Sequence, residues 1–310
     1  MNEAYPCRTA NSARVEAQAV RLVIDAVIVS VADETPRVLT VAGAPRLPSG
    51  TFVPERDRTL ELAARRLITE QTGLRVGYLE QLYTFGDRFR DPREVEGGPR
   101  LVSVGYLVLV GVDAAAAAPA GVAWRDWYGF FPWEDLRDQP APAHDAVLAF
   151  VDAPAVDPTL RRRARLVFGL TDADWNNEAV LERYELLYEL GGVAEAPHTA
   201  ASFGDSMERD HRRIVATAIG RLRGKIKYRP IVFELLPPAF TLSDLQGTVE
   251  SLAGVRLHGP NFRRLVEETG IVEETGERRP TSGRPAKVYR FRPEVLAERP
   301  DPGIGIRGRP

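Results

Sequence analysis

At 310 residues the chain is long enough for two domains of ordinary size, and its 44% hydrophobic and 27% charged residues are those of a globular protein, not a disordered one. A single cysteine, Cys7, excludes an internal disulfide framework and any cysteine-based zinc cage, and points to a reducing compartment. Residues 1–13 lack a signal-peptide apolar core, and the apolar run Val20–Ala32 carries Arg21 and Asp25 and is too short to span a bilayer, so a cytoplasmic protein is expected. The net charge of -2 hides an asymmetry: residues 208–310 hold 20 Lys and Arg against 13 Asp and Glu, and the remainder holds 21 against 30. A basic final third on an acidic body is either an accident of surface composition or the mark of an anionic partner for that third alone.

In chain order, Val20–Val31 is rich in β-branched residues and reads as a buried strand, followed by a second strand at Arg37–Ala42. Leu60–Gln71 is predicted helical, with Leu60, Ala64, Leu67 and Ile68 at three- and four-residue spacing and Gly73 placed as its C-cap. Leu82–Phe85 and Leu101–Val112 read as further strands. The charged loop between them, Gly86–Arg100, is long enough to suggest a function. The alanine run 114–118 reads as a mobile surface connection. Trp124–Leu136 is dense in aromatics, which favours core over a ligand-stacking wall. Residues 158–190 read as a helical extension, and 193–206 have linker composition.

The C-terminal third opens with a basic amphipathic helix, Glu208–Arg223. A second helix follows Thr241, an N-cap with Asp244 three residues on, and buries Leu242, Leu245, Val249 and Leu252 before Gly254 stops it. A third opens at Asn261 and ends at Gly270. Two short helices at this spacing read as a helix-turn-helix. Strands at Ile271–Val272 and Val288–Phe291, joined by a loop rich in Gly and Arg, complete a winged helix. Asn261, Arg263 and Arg264 are the candidates for DNA contact from the helix, and Arg278, Arg279, Arg284 and Lys287 from the wing; Phe262 shares the apolar face of Leu265 and Val266 and is assigned to the core. Residues 298–310 read as a disordered tail.

One further pattern lies in Leu47–Leu74. It has the frame of a Nudix hydrolase motif, G-x5-E-x7-R-E-U-x-E-E-x-G-U with U aliphatic. Gly73 and Leu74 fit the final pair and Arg66 fits the arginine, but Leu67 stands where the next glutamate belongs, the Glu-Glu pair is Glu70–Gln71, and Arg58 takes the earlier glutamate position. Ser49–Gly50 replaces the usual Gly-Gly, and Gly50 lies farther from Arg66 than in the common frame. Those glutamates hold the divalent cation that cuts diphosphates, and a hard cation needs several carboxylate oxygens. One glutamate beside a leucine and a glutamine makes a poor cage, so no metal site and no catalytic residue are expected.

With EQLYTFGDRFRDPR at 80–93 and the stretches at 221–246 and 261–291, the chain resembles the Nudix-related transcriptional regulators of NAD metabolism in bacteria. The resemblance implies an α+β protein: a Nudix-like α/β/α sandwich with a mixed sheet at 15–155, a helical extension and linker at 156–206, a winged helix-turn-helix at 207–297 and the tail at 298–310. It implies a homodimeric repressor on a palindromic operator, released by ADP-ribose or a related nucleotide, with no cofactor. Carried over by position, Arg46, Arg66, Glu70 and Tyr83 lie in or beside the ligand groove, and Asp87, Arg88 and Arg90 in the loop over it. Arg66 is equally suited to a purely structural pair with Glu70, and the loop arginines suit either diphosphate oxygens or solvent. Residues 158–200 buttress a dimer or the interdomain joint, or only add core. Two other readings remain open: a hydrolase that draws metal ligands from Glu55, Glu61 or Glu94 with Glu70, and a ligand sensor that uses its winged helix on a protein.

Overall fold

The computed structural model describes residues 20–304 apart from 42, 44, 89–93, 95, 117–120, 140, 172–173, 282 and 299–301. Strands β1 (Val20–Ala32) and β2 (Thr35–Val41) form a hairpin whose two turn residues, Asp33 and Glu34, both have positive φ, 51° and 54°. That pair of left-handed residues matches the twist of a two-residue hairpin. β3 (Ser49–Thr51) pairs with β1; β4 (Tyr78–Phe85) is antiparallel to β5 (Arg100–Leu109); β5 runs parallel to β1 from Val20–Arg100 to Val29–Leu109. β6 (Val122–Asp126) joins the far edge, giving the mixed order β4-β5-β1-β2-β6 with β3 alongside β1. The sequence reading missed β6, a five-residue edge strand with no alternation of apolar and polar residues. Part of the alanine run lies in a short helix, Val112–Ala116.

Alternation along β1 divides the core. Ile24, Ala26 and Ile28 face helix α1 (Leu60–Thr72) and its Ala63, Ala64, Leu67 and Ile68, while Val27, Val29 and Val31 enter a larger cluster on the opposite face. Thr59 caps α1 by accepting from Leu62 N at 3.1 Å, and Gly73, at φ 68°, ends it. The larger cluster takes in Trp127, Phe130, Phe131 and Trp133, so the aromatic segment is core, as its composition implied. It continues into α2 (Pro142–Val151), α3 (Pro158–Val167), α4 (Val180–Glu189) and α5 (His211–Ile226).

The segment 193–206 is pinned, not loose. Val193 and Ala196 are buried, Phe203 N donates to Gly192 O at 2.9 Å, and Asp205 N donates to Gly129 O at 2.8 Å. Its composition is that of a linker because its order rests on satisfied backbone groups rather than on large apolar side chains.

After a 3-10 turn (Ile231–Leu235) come β7 (Phe240–Thr241), α6 (Leu242–Ala253), α7 (Gly259–Thr269), β8 (Val272–Arg279) and β9 (Ala286–Phe291), with sheet order β7-β9-β8. This is a winged helix. Its capping box is present in full: Asp244 N donates to Thr241 Oγ1 at 3.1 Å and Thr241 N to Asp244 Oδ2 at 2.8 Å. Leu242, Leu245, Val249, Leu252 and Phe262 are buried, and they belong to the same large cluster as the sheet. Within the segment read as a disordered tail, Ile304 is buried and donates its N–H to Ile226 O at 2.9 Å, which corrects that reading at this residue.

Buried charge locks the joint. Arg223 of α5 donates to Leu252 O at 2.9 Å and to Glu134 Oε2 at 2.6 Å, and Arg183 of α4 donates to the same carboxylate at 2.9 Å. Burial alone would raise the Glu134 carboxyl, but the two guanidiniums outweigh it and hold it below the ordinary carboxylate range. Tyr128 OH donates to Ser251 O at 2.7 Å, and Arg256 reaches Glu34 at the β1–β2 tip at 3.3 Å. The winged helix is therefore held at the end of α6 and by the hairpin tip.

Candidate effector pocket and nucleic-acid interface

On the α1 face, the remnants of the Nudix frame hold one another. Asp57 accepts from Val53 N at 2.9 Å and takes a bidentate pair from Arg66, at 2.8 and 2.7 Å. Arg66 also donates to Glu70 at 2.9 Å, and Arg56 reaches the other oxygen of that carboxylate. The Arg66 hydrogen bonds hold the Asp57 carboxyl well below its ordinary 3.8, at about 2. Gln71, at a position that carries a metal ligand in the hydrolases, bridges β3 by accepting from Ser49 N at 3.2 Å and donating to Ser49 O at 2.7 Å. Leu67 is buried against Ile24, Val104 and Tyr106 and presses on Gly50, where a Cβ would collide with it. The divalent cation of Nudix hydrolases does not fit this donor set. Among the described residues no three His, Cys, Asp or Glu are placed to hold a metal ion. Of the outside candidates, Glu55 is exposed, Glu61 pairs with Arg65 at 3.0 Å, and Glu94 is buried.

The other carried-over residues lie apart from this network. Tyr83 is exposed and packs edge-on against Phe85, with ring centroids 5.3 Å apart. Asp87 faces Arg213 of α5 at 3.8 Å. Arg88 is exposed, and Arg90 lies outside the described residues.

Arg46 lines a cavity of about 200 Å³ on the opposite face, together with Arg21, Ser49, Gly50, Arg209 and His211. The sequence reading had not assigned Arg21, Arg209 or His211 to a site. The available signal was a pair of charged residues, Arg21 and Asp25, inside an otherwise apolar strand. Asp25 is buried beneath the cavity, accepts from Ser103 Oγ and faces His211 Nε2 at 3.5 Å. Burial would raise its carboxyl, yet contacts with His211, Ser103 and Ser49 hold it below the ordinary range. His211 Nδ1 accepts from Leu47 N at 3.0 Å, which leaves Nε2 to carry the proton facing Asp25.

In the winged helix, Asn261, Arg263 and Arg264 are all exposed on the opening turns of α7, while Phe262 is buried as its position on the apolar face predicted. Arg263 shares a groove of about 600 Å³ with Arg278, Arg284 and Lys287 of the wing and with Ser243 at the start of α6. Glu274 holds Arg278 at 2.7 Å and Lys287 at 2.8 Å, Arg279 pairs with Asp244 at 2.6 Å, and Arg264 faces Glu268 at 3.9 Å. These pairs lie at the exposed surface, where solvent and salt weaken them, so their cations exchange readily onto phosphate.

Residues 232–291 match the family model of the NrtR DNA-binding winged helix domain. The C-terminal domain is thus similar to the NrtR winged helix. Over 245 residues the chain is 26% identical to the ADPR responsive transcriptional repressor NtrR of Acinetobacter baylyi, covering 79% of this chain and 68% of that protein. Its fold is similar to Shewanella oneidensis NrtR complexed with a 27mer DNA, with TM-score 0.56 and 24% identity over 89% of this chain and 95% of that one. It is also similar to a MutT/nudix family protein from Enterococcus faecalis, with TM-score 0.53 and 21% identity over 89% and 88% of the two chains. A mixed-sheet domain of Nudix-like fold joined to a winged helix accounts for both fold likenesses.

Proposed function

We propose that the protein is a transcriptional repressor that binds DNA through its winged helix and senses ADP-ribose or a related nucleotide in its Nudix-like domain without hydrolysing it. The observation that carries the reading is the pairing of the two halves. An NrtR-type winged helix with Arg263, Arg278, Arg284 and Lys287 around one groove follows a Nudix-like fold whose catalytic positions serve structure. Leu67 is core, Gln71 is tied to Ser49, and Glu70 is tied to two arginines. The Acinetobacter relative is named for its response to ADPR, which makes that nucleotide the first effector to test.

The seven residues of the helix and wing named above contact DNA, the α7 residues on base edges and the wing cations on phosphate or in the minor groove. The protein acts as a homodimer on a palindromic operator near genes of NAD metabolism, in the cytoplasm. Among the described residues no helix is long and apolar enough to cross a membrane. Domain limits of 15–155, 156–206 and 207–297 serve as working boundaries. Arg46, Tyr83 of β4 and the loop residues Asp87, Arg88 and Arg90 belong to the effector side; Arg66 pairs with Asp57 and Glu70 on the α1 face.

The test is fluorescence anisotropy of labelled DNA from upstream of its own and neighbouring genes, at low salt, with ADP-ribose, NAD or ATP added. Salt-sensitive binding relieved by one nucleotide is the expected result. Failure to retain any such DNA contradicts the reading.

A further inference from the structure

The joint between the Nudix-like domain and α5 is stitched by two hydrogen bonds that bracket the small cationic cavity. Glu208 N donates to Pro45 O at 2.8 Å, and Leu47 N donates to His211 Nδ1 at 3.0 Å. Between the stitches lie Arg46 on one side and Arg209 on the other, and both line the cavity. Arg209 has φ 56°, a left-handed conformation that a long side chain adopts only when its surroundings impose it. Neither Arg21, Arg46 nor Arg209 has a carboxylate partner among the described residues. By contrast Arg66, Arg183, Arg212 and Arg223 all have one. Three unpaired guanidiniums around about 200 Å³ suit a compact, multiply charged anion, because each offers planar bidentate donors to phosphate oxygens. A second cavity of about 560 Å³ shares Arg21 and Thr51 with the first and is lined by Leu22, Phe52 and Pro54, an apolar wall of the size a nucleoside needs.

We propose that Arg209, together with Arg21 and Arg46, holds the diphosphate of the effector, and that Arg209 and His211 make the bound nucleotide act directly on α5, the helix that reaches the winged helix through Arg223. The inference rests on the reading of the protein as a nucleotide-responsive repressor and adds the residues that read the ligand from outside the Nudix-like sheet. A ligand drawn between Arg46 and Arg209 bears on the two stitches, and an equilibrium between joint geometries shifts by the ligand's difference in affinity for them.

The test measures ADP-ribose binding to the full-length protein by isothermal titration calorimetry, with thermal melting of the free variants as the fold control. Arg209→Ala removes the guanidinium and keeps the left-handed backbone in a residue with a side chain; Arg209→Gly removes the guanidinium and relieves that backbone. Both variants are expected to bind ADP-ribose at least about tenfold more weakly, the loss of a charge-assisted contact, and to need correspondingly more ADP-ribose to release DNA. Arg21→Ala is expected to do the same. Wild-type affinity in both Arg209 variants overturns the inference and leaves the proposed function standing, as does weakening in Arg209→Ala alone, which assigns the effect to the backbone. Absence of ADP-ribose binding by the wild type removes the effector reading and this inference with it.

Discussion

The two faces of the central sheet carry opposite electrostatic states. On the α1 face the charges of the old motif neutralise one another: Asp57 with Arg66, Glu70 with Arg66 and Arg56, Glu61 with Arg65. On the opposite face Arg21, Arg46 and Arg209 converge on a cavity without carboxylate partners among the described residues. A charge already satisfied within the protein has little to offer a ligand, whereas an unpaired one gains its partner on binding. The motif that identifies the fold thus lies on the face that holds structure, and the residues suited to an anionic ligand lie on the face that meets α5.

The largest effect is expected at the joint that serves the ligand face. Glu134→Gln leaves Arg183 and Arg223 buried beside a neutral amide, and loss of a buried ionic partner costs about 3–5 kcal/mol; chemical denaturation should show that loss. Leu67→Glu restores a motif carboxylate but places it in the α1-side core, which should lower stability by about 2–4 kcal/mol and give no divalent-dependent cleavage of ADP-ribose. Cleavage by Leu67→Glu would blur the contrast between the faces.

On the winged helix, Lys287→Ala and Arg284→Ala should each weaken DNA binding roughly uniformly across sequences and reduce the slope of log affinity against log salt by about 1. An unchanged slope would remove those cations from the phosphate contacts. The smallest effect concerns Asp57. Its carboxyl is depressed in the folded protein from 3.8 to about 2, so its contribution to stability is present above pH 3.8 and is lost as pH falls toward 2. Acid titration of the melting temperature should show a shallower fall over that interval in Asp57→Asn than in the wild type.

Much of this was legible in the sequence where local pattern and local structure coincide. The capping box at Thr241 and Asp244, the stripe of Leu242, Leu245, Val249 and Leu252, and the Gly73, Gly254 and Gly270 stops are short-range signals, and each is found as read. The departures of Leu67 and Gln71 from the motif are visible in the sequence itself. What Gln71 does instead was not legible: its partner, Ser49, lies 22 residues away on another element. The cavity was less legible still. Arg21, Arg46 and Arg209 come from a strand, a loop and the turn before a helix, and the long-range stitches of Pro45 to Glu208 and of Leu47 to His211, the latter 164 residues apart, bring them together. Edge strand β6 and helix α2 escaped because one is short and half-exposed and the other buries only Val147 and Val151.

The most direct test of sensing without catalysis is a titration of ADP-ribose into the preformed complex of the full-length protein and its upstream DNA. Mg²⁺ should be present, and anisotropy and nucleotide products should be followed for hours. The account predicts that DNA is released, stays released, and leaves ADP-ribose intact. Release followed by rebinding as AMP accumulates would contradict it and make the protein an enzyme that resets its own signal.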